Sequence, residues 1–202
     1  MRSGTAESLT LDLVGLLLAA GSGSRFGSDK LRYRLPHGVP IAVQSARHLK
    51  TQLARVIAVV RPGADETARA LAAEGCEVVV CRDAERGMGA SLACGASAAG
   101  DVGGYLVALA DMPFVRPSTI AAVREALAAG AALAVPYFRT RRGHPVGIAG
   151  RFRAELEALG GDEGARALLE RHAAQLVKIP CGDPGVIRDI DAPGDLAPPL
   201  AV

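Results

Sequence analysis

The chain reads as an α/β protein, a mostly parallel sheet with helices on both faces. Three observations predict this. Short apolar runs alternate with amphipathic ones between residues 13 and 136, the rhythm of βαβ units. Half of the 202 residues are apolar but only 3% are aromatic, so alanine, valine, leucine and glycine must do the packing, which suits close helix–sheet contact. The first apolar run also ends in a loop of small and cationic residues, as a strand does at the ligand-binding edge of a parallel sheet. The length suffices for one substantial domain, expected over residues 11–197, with 1–10 and 198–202 as loose termini.

Residues 13–19 form strand one. The run resembles a signal-peptide core, but Glu7 and Asp12 flank it and only Arg2 supplies a side-chain positive charge. A helix over 41–52 follows the Gly38-Val39-Pro40 entry. Strand 55–60, helix 65–74, strand 77–81, helix 89–99 and strand 105–110 continue the alternation. Pro117 opens a helix over 117–129 at its first turn, and 132–136 is a short strand. After Tyr137 the rhythm breaks. A basic turn, 139–143, leads into His144-Pro145-Val146-Gly147-Ile148. Short helices over 152–159 and 163–172 follow, then strands near 176–179 and 186–190, and a Pro-rich irregular tail.

Composition excludes several partners. The net charge of +2 gives no strong pull toward nucleic acid or membrane, and there is no tryptophan to stack on bases. No apolar run reaches membrane-spanning length. The four cysteines, Cys76, Cys81, Cys94 and Cys181, form no C-x-x-C pair, and no histidine pair has zinc-ligand spacing. Buried free thiols in a reducing cytoplasm are the expectation.

Residues 18–30 read L-A-A-G-S-G-S-R-F-G-S-D-K. Strand one delivers Leu18, Ala19 and Ala20 to the sheet edge. Gly21, Gly23 and Gly27 permit positive φ, and the small Ser22 and Ser24 leave backbone N–H groups free to face an anion. Arg25 and Lys30 add two cations. Such a loop suits a nucleotide's phosphates. It is not a P-loop, because Gly27 is followed by Ser28-Asp29-Lys30. Nor is it the dinucleotide fingerprint, whose last glycine would fall on Phe26.

Four further segments carry chemistry. In L-V-A-L-A-D-M-P, residues 106–113, an apolar strand ends in Asp111. Alone, Asp111 reads as a cap. Beside triphosphate oxygens a carboxylate needs an intervening cation, which implies Mg²⁺. In V-I-R-D-I-D-A-P, residues 186–193, Asp189 and Asp191 share one face of an extended segment. Asp191 is the better second metal ligand and Asp189 the reserve, with a solvated edge pair as the alternative. R-G-M-G-A-S-L, residues 86–92, joins strand three to a helix, placing Arg86 and Ser91 at an N-terminus that offers donors to a base or ribose. R-R-G-H-P-V-G, residues 141–147, reads either as a grip on a second phosphorylated ligand through Arg142 and His144 or as a solvated basic loop. Asp162 and Arg166, in G-D-E-G-A-R, read as a helix-start pair or as contacts to that ligand.

Together these motifs resemble the molybdenum cofactor nucleotidyltransferases. The resemblance rests on L-A-A-G-x-x-x-R-F-G-x-x-K at 18–30, G-M-x-x-S-L at 87–92, L-A-D-x-P at 109–113, R-G-H-P-V at 142–146, G-D-x-G-A-R at 161–166 and D-I-D-x-P at 189–193. The R-G-H-P and G-D-x-G-A-R elements narrow it to the cytidylyltransferase-like branch. The resemblance implies a Rossmann-like fold of the nucleotide-diphospho-sugar transferase type. It implies transfer of CMP from CTP to the terminal phosphate of molybdopterin, with pyrophosphate released. The guanylyltransferase branch, which uses GTP, usually has L-A-G-G where Ala20 stands, so Ala20 leans toward cytidine. Under this resemblance Arg25, Lys30 and Asp111 are the catalytic set. Asp111 and Asp191 hold Mg²⁺. Residues 18–25, Gly27, Lys30, Arg86 and Ser91 bind nucleotide, and Arg142 and His144 bind the pterin phosphate. A client molybdoenzyme is the expected protein partner. The chain departs from the family in Gly89-Ala90, where a hydroxyl residue is usual, and in the small Gly147.

Overall fold

The computed structural model describes residues 12–21, 30–162 and 164–196. Eight strands form one sheet: β1 (Leu13–Ala19), β2 (Arg55–Val60), β3 (Glu77–Val80), β4 (Gly104–Leu109), β5 (Leu133–Phe138), β6 (Arg141–Arg142), β7 (Val146–Ala149) and β8 (Leu176–Cys181). The order is β3-β2-β1-β4-β7-β5, with β8 along the other edge of β5 and β6 pairing the far end of β5. β1, β2, β3 and β4 are mutually parallel, and β8 is parallel to β5. β7 runs antiparallel to both β4 and β5. The expected mostly parallel sheet is therefore present, with one reversed strand inside it.

Helices cover both faces. α1 (Ile41–Lys50), α2 (Asp65–Ala73) and α4 (Pro117–Ala128) pack on one side. α3 (Met88–Ala99), α5 (Arg153–Glu157) and α6 (Arg166–Arg171) pack on the other. The period of two in β1 divides the core. Leu17 and Ala19 join the α1 side, and Val14, Leu16 and Leu18 join the α3 side. Each fully buried leucine of this kind contributes about 2 kcal/mol of transfer free energy. No helix among the described residues is long and apolar enough to cross a membrane. All four cysteines are free, with Cys76 and Cys81 buried as expected and Cys94 and Cys181 half-buried.

The C-terminal part differs from the expectation in two ways. Residues 144–148 carried no element in the sequence reading, yet β7 occupies 146–149 in the middle of the sheet. Its small residue, Gly147, is what α4 requires, since a Cβ there would stand 2.8 Å from Val123 Cγ1. The expected strand at 186–190 is absent. A 3₁₀ turn, Pro184–Ile187, and an unpaired extended stretch replace it. Pro184 removes a ladder donor, and the Asp183 carboxylate accepts from Gly185 N at 3.0 Å, closing the chain into the tight turn.

Asp183 anchors this turn to α4. It is 2% exposed and also accepts from Arg116 N at 2.8 Å and Thr119 Oγ1 at 2.8 Å. Asp183→Ala leaves three donors without their acceptor and is expected to destabilise the fold by about 3–5 kcal/mol. Thr119→Val removes one donor and is expected to cost about 1 kcal/mol. Urea midpoints of the two variants check both values and their order.

Candidate nucleotide and metal site

From β1 the chain moves outward through β2 to β3, then crosses back to β4 on the other side of β1. The segments leaving β1 and β4 therefore diverge, and a crevice opens at their carboxyl ends. Ala110 N donates to Leu18 O at 3.0 Å, the last bond before the two chains part. Ala20 and Gly21 follow on one side and Asp111 on the other.

A cleft of about 800 Å³ occupies this edge. Of the residues that the sequence singles out, Leu18, Ala20, Gly21, Lys30, Ser91 and Asp111 line it. Ala19 is buried beneath it, 2% exposed. Ser22, Gly23, Ser24, Arg25 and Gly27 lie outside the described residues. Arg86 is exposed on the turn before α3 and pairs with Asp83 at 3.8 Å, away from the cleft wall. The structure adds Arg61, Arg82, Glu85 and Asp162 to the wall. Arg61 and Arg82 begin the loops after β2 and near the end of β3. A charged residue directly after an apolar run was legible there, by the same signal that singled out Asp111.

At one end of the cleft Asp111, Asp189 and Asp191 bring carboxylate oxygens within 4.8 Å of one another. Backbone geometry arranges this. Ile190 N donates to Asp111 O at 2.9 Å, and the Ile190 side chain is fully buried, so Asp189 and Asp191 flank a fixed point. Asp195 Oδ2 accepts from Asp191 N at 3.1 Å and Ala192 N at 2.9 Å, closing the turn beyond. Lys30 Nζ bridges the cluster, 2.8 Å from Asp111 Oδ2 and 3.0 Å from Asp191 Oδ1. Burial alone lowers the Lys30 pKa, but the two aspartates outweigh it and hold the ammonium above the usual lysine value. Burial, and then the charges of Asp191 and Asp111, push the Asp189 carboxyl up. Three hard oxygen donors converging in this way can hold a divalent cation of the Mg²⁺ or Mn²⁺ type.

Arg142 is exposed on β6, outside the cleft wall. His144 lies behind Asp111, lining a small interior cavity with Ser45, His48 and Met112. Its backbone N donates to Val186 O at 2.8 Å, tying β7 to the turn that carries the aspartates. Burial pushes its imidazole pKa down, opposed by the Val107 carbonyl and the Asp111 charge. The basic residues before α1 are engaged within the chain: Arg32 pairs with Glu66, and Arg34 donates to Gly38 O.

A sheet covered by helices on both faces, with a cleft at its strand-order reversal, is the nucleotide-diphospho-sugar transferase fold, and the family match below makes the chain a nucleotidyltransferase. Residues 15–176 match the MobA-like NTP transferase domain, and the chain belongs to that family. It is 32% identical over 191 residues to nicotine blue oxidoreductase of Paenarthrobacter nicotinovorans, covering 89% of this chain and 92% of that protein. It is 30% identical over 194 residues to the purine catabolism protein PucB of Bacillus subtilis, covering 90% and 92%. Among solved structures, Rv0371c of Mycobacterium tuberculosis superposes with a TM-score of 0.80 at 25% identity, covering 91% of this chain and 95% of that one. A manganese complex of the same mycobacterial protein superposes at 0.76 with 22% identity, covering 91% and 95%.

Two expectations follow. Lys30 holds the same carboxylate oxygens that a divalent ion would use. Lys30→Met is therefore expected to tighten Mn²⁺ binding severalfold in the absence of nucleotide, read by electron paramagnetic resonance of free Mn²⁺. The folded pKa of His144 lies below its unfolded value of about 6.5. The unfolded chain then binds the proton more readily, so stability is complete above about pH 6.5 and is lost as pH falls. One proton limits the slope to at most about 1.4 kcal/mol per pH unit, and His144→Gln should reduce the loss of stability seen in urea midpoints as pH falls from about 7 to 5.

Proposed function

We propose that this protein is a Mg²⁺-dependent cytidylyltransferase that transfers CMP from CTP to the terminal phosphate of molybdopterin. The observation that carries the reading is the Lys30 ammonium set between Asp111 and Asp191 at the mouth of the β1–β4 crevice. Family membership supports a nucleoside triphosphate as donor. The choice of CTP rests on Ala20, and the choice of molybdopterin on the R-G-H-P-V and G-D-x-G-A-R motifs.

In this reading the backbone from the end of β1, Leu18 through Gly21 and on to Ser22, Gly23, Ser24 and Gly27, cradles the triphosphate. Arg25 neutralises the β- and γ-phosphates. Asp111 and Asp191, with Asp189 beside them, would hold Mg²⁺, which when bound neutralises phosphate charge and aligns donor with acceptor. Lys30, released from its carboxylates, stabilises charge at the α-phosphate. Arg61 and Arg82 extend the positive wall. Ser91, only 4% exposed and at the first turn of α3, contacts the nucleoside, with Arg86 near the same helix start. Arg142 attracts the pterin phosphate, and His144 supports the strand ends behind Asp111.

An acceptor phosphate oxygen attacks the α-phosphorus, and the bond from that phosphorus to the bridging oxygen breaks as pyrophosphate leaves. The nucleophile is already an anion, so no general base is needed. The protein's task is alignment and charge neutralisation. The reaction belongs in the cytoplasm, and its product passes to a client molybdoenzyme.

Pyrophosphate release is measured with CTP and with GTP, with Mg²⁺ and molybdenum cofactor present. Release with CTP that needs both metal and cofactor is the expected result, and Asp111→Ala should reduce it at least a hundredfold in a folded protein. Release with GTP alone overturns the base assignment. Because one relative is named an oxidoreductase, the panel includes a dye with a reduced nicotinamide donor. Dye reduction without pyrophosphate release overturns the reading.

A further inference from the structure

The reading above uses the G-D-E-G-A-R motif only as a mark of resemblance and gives Asp162 no role, yet the structure gives part of the motif a definite place. Gly89 N donates to Gly161 O at 2.8 Å, so the loop at residues 160–162 lies across the start of α3. Two glycines allow this approach. Gly87 has φ 113°, and a Cβ there would overlap the Gly161 carbonyl and the Asp162 carboxylate. A Cβ on Gly89 would stand 2.6 Å from Gly160 O. The loop is thereby clamped to the helix, and Asp162 joins Gly87, Met88 and Ser91 on the cleft wall.

Lys30 and Asp111 define the phosphate end, at β1 and β4. α3 crosses back over β2 and β1, and its start, with Ser91, is the part of the wall that the reading above gives to the nucleoside. Asp162 therefore faces the nucleoside half of the cleft. An ionised carboxylate only accepts hydrogen bonds and would repel phosphate oxygens. Opposite a base it favours an exocyclic amino group. Cytosine presents an amino donor where uracil presents a carbonyl acceptor, so the same carboxylate attracts one and repels the other.

We infer that Asp162 is a specificity-determining residue that selects an amino-bearing base, CTP over UTP. The inference rests on the nucleoside triphosphate reading above. Binding of CTP and of UTP is measured by calorimetry on the full chain with Mg²⁺ and no acceptor, so that no turnover occurs. The wild-type chain is expected to prefer CTP by about tenfold or more. Asp162→Asn should bring the two affinities to within about twofold, because the amide can turn its N–H₂ toward the uracil carbonyl. Asp162→Glu should restore part of the preference, and Glu85→Gln, on the same wall, should leave it intact. Thermal melting confirms that the variants fold.

An unchanged CTP:UTP ratio in Asp162→Asn overturns the inference. So does an equal loss for both nucleotides, which would assign Asp162 to the shared ribose. If the ratio shifts in Glu85→Gln instead, the wrong acid has been chosen. Failure of both nucleotides to bind the wild-type chain overturns the nucleotide reading itself, and this inference with it.

Discussion

Three carboxylates with oxygens inside 4.8 Å of one another are an unfavourable assembly. At such distances each like-charged pair repels by about 1 kcal/mol in water and about 4 kcal/mol at the effective dielectric near a protein surface. The chain tolerates the cluster because a cation is held in it and because the backbone leaves little room to spread. Lys30 provides the charge. The bond from Ile190 N to Asp111 O, with the buried Ile190 side chain, provides the restraint. The local chemistry of the site follows from this enforced crowding, since a group of anions that cannot disperse must keep a positive partner.

The restraint depends on packing well away from the cleft. Asp183 holds the 3₁₀ turn to the first turn of α4, and α4 itself settles on β7 only because Gly147 has no side chain. β7 in turn positions His144, whose backbone N bonds to Val186 O in the same turn. A path of packing and backbone bonds therefore leads from the middle of the sheet to the aspartates. The small-residue composition serves this arrangement, letting helices and strands approach closely where the site needs rigidity.

The βαβ half of the fold was legible because its signals are local. Apolar runs of strand length, glycine turns and the Pro117 helix start each fall within a few residues. The later part was not, because its elements depend on distant partners. β7 is four residues long and is defined by pairing with both β4 and β5. Residues 186–190 have a strand-like pattern but join no strand of the sheet, held instead by single bonds to His144 and Asp111, so Asp189 and Asp191 are gathered without a ladder. Asp111 and Lys30 were readable from strand ends and loop chemistry. Arg61 and Arg82 carry a similar signal, each following an apolar run. Asp162 could not be placed, because only the three-dimensional approach of its loop to Gly87 and Gly89 brings it to the cleft.

Lys30 and Asp191 are 161 positions apart, and the segment that carries Asp191 follows β8, which pairs with β5. The acid cluster therefore closes by contacts of very long sequence separation, among the slowest to form in folding. During synthesis β1 to β4 can pair while the C-terminal return is still missing. Such a chain has the platform without the means to gather a metal ion. The same division survives in the finished protein, where fraying of the segment after β8 would separate the aspartates without opening the central strands. The acid cluster is thus complete only once the segment after β8 has packed against Asp111.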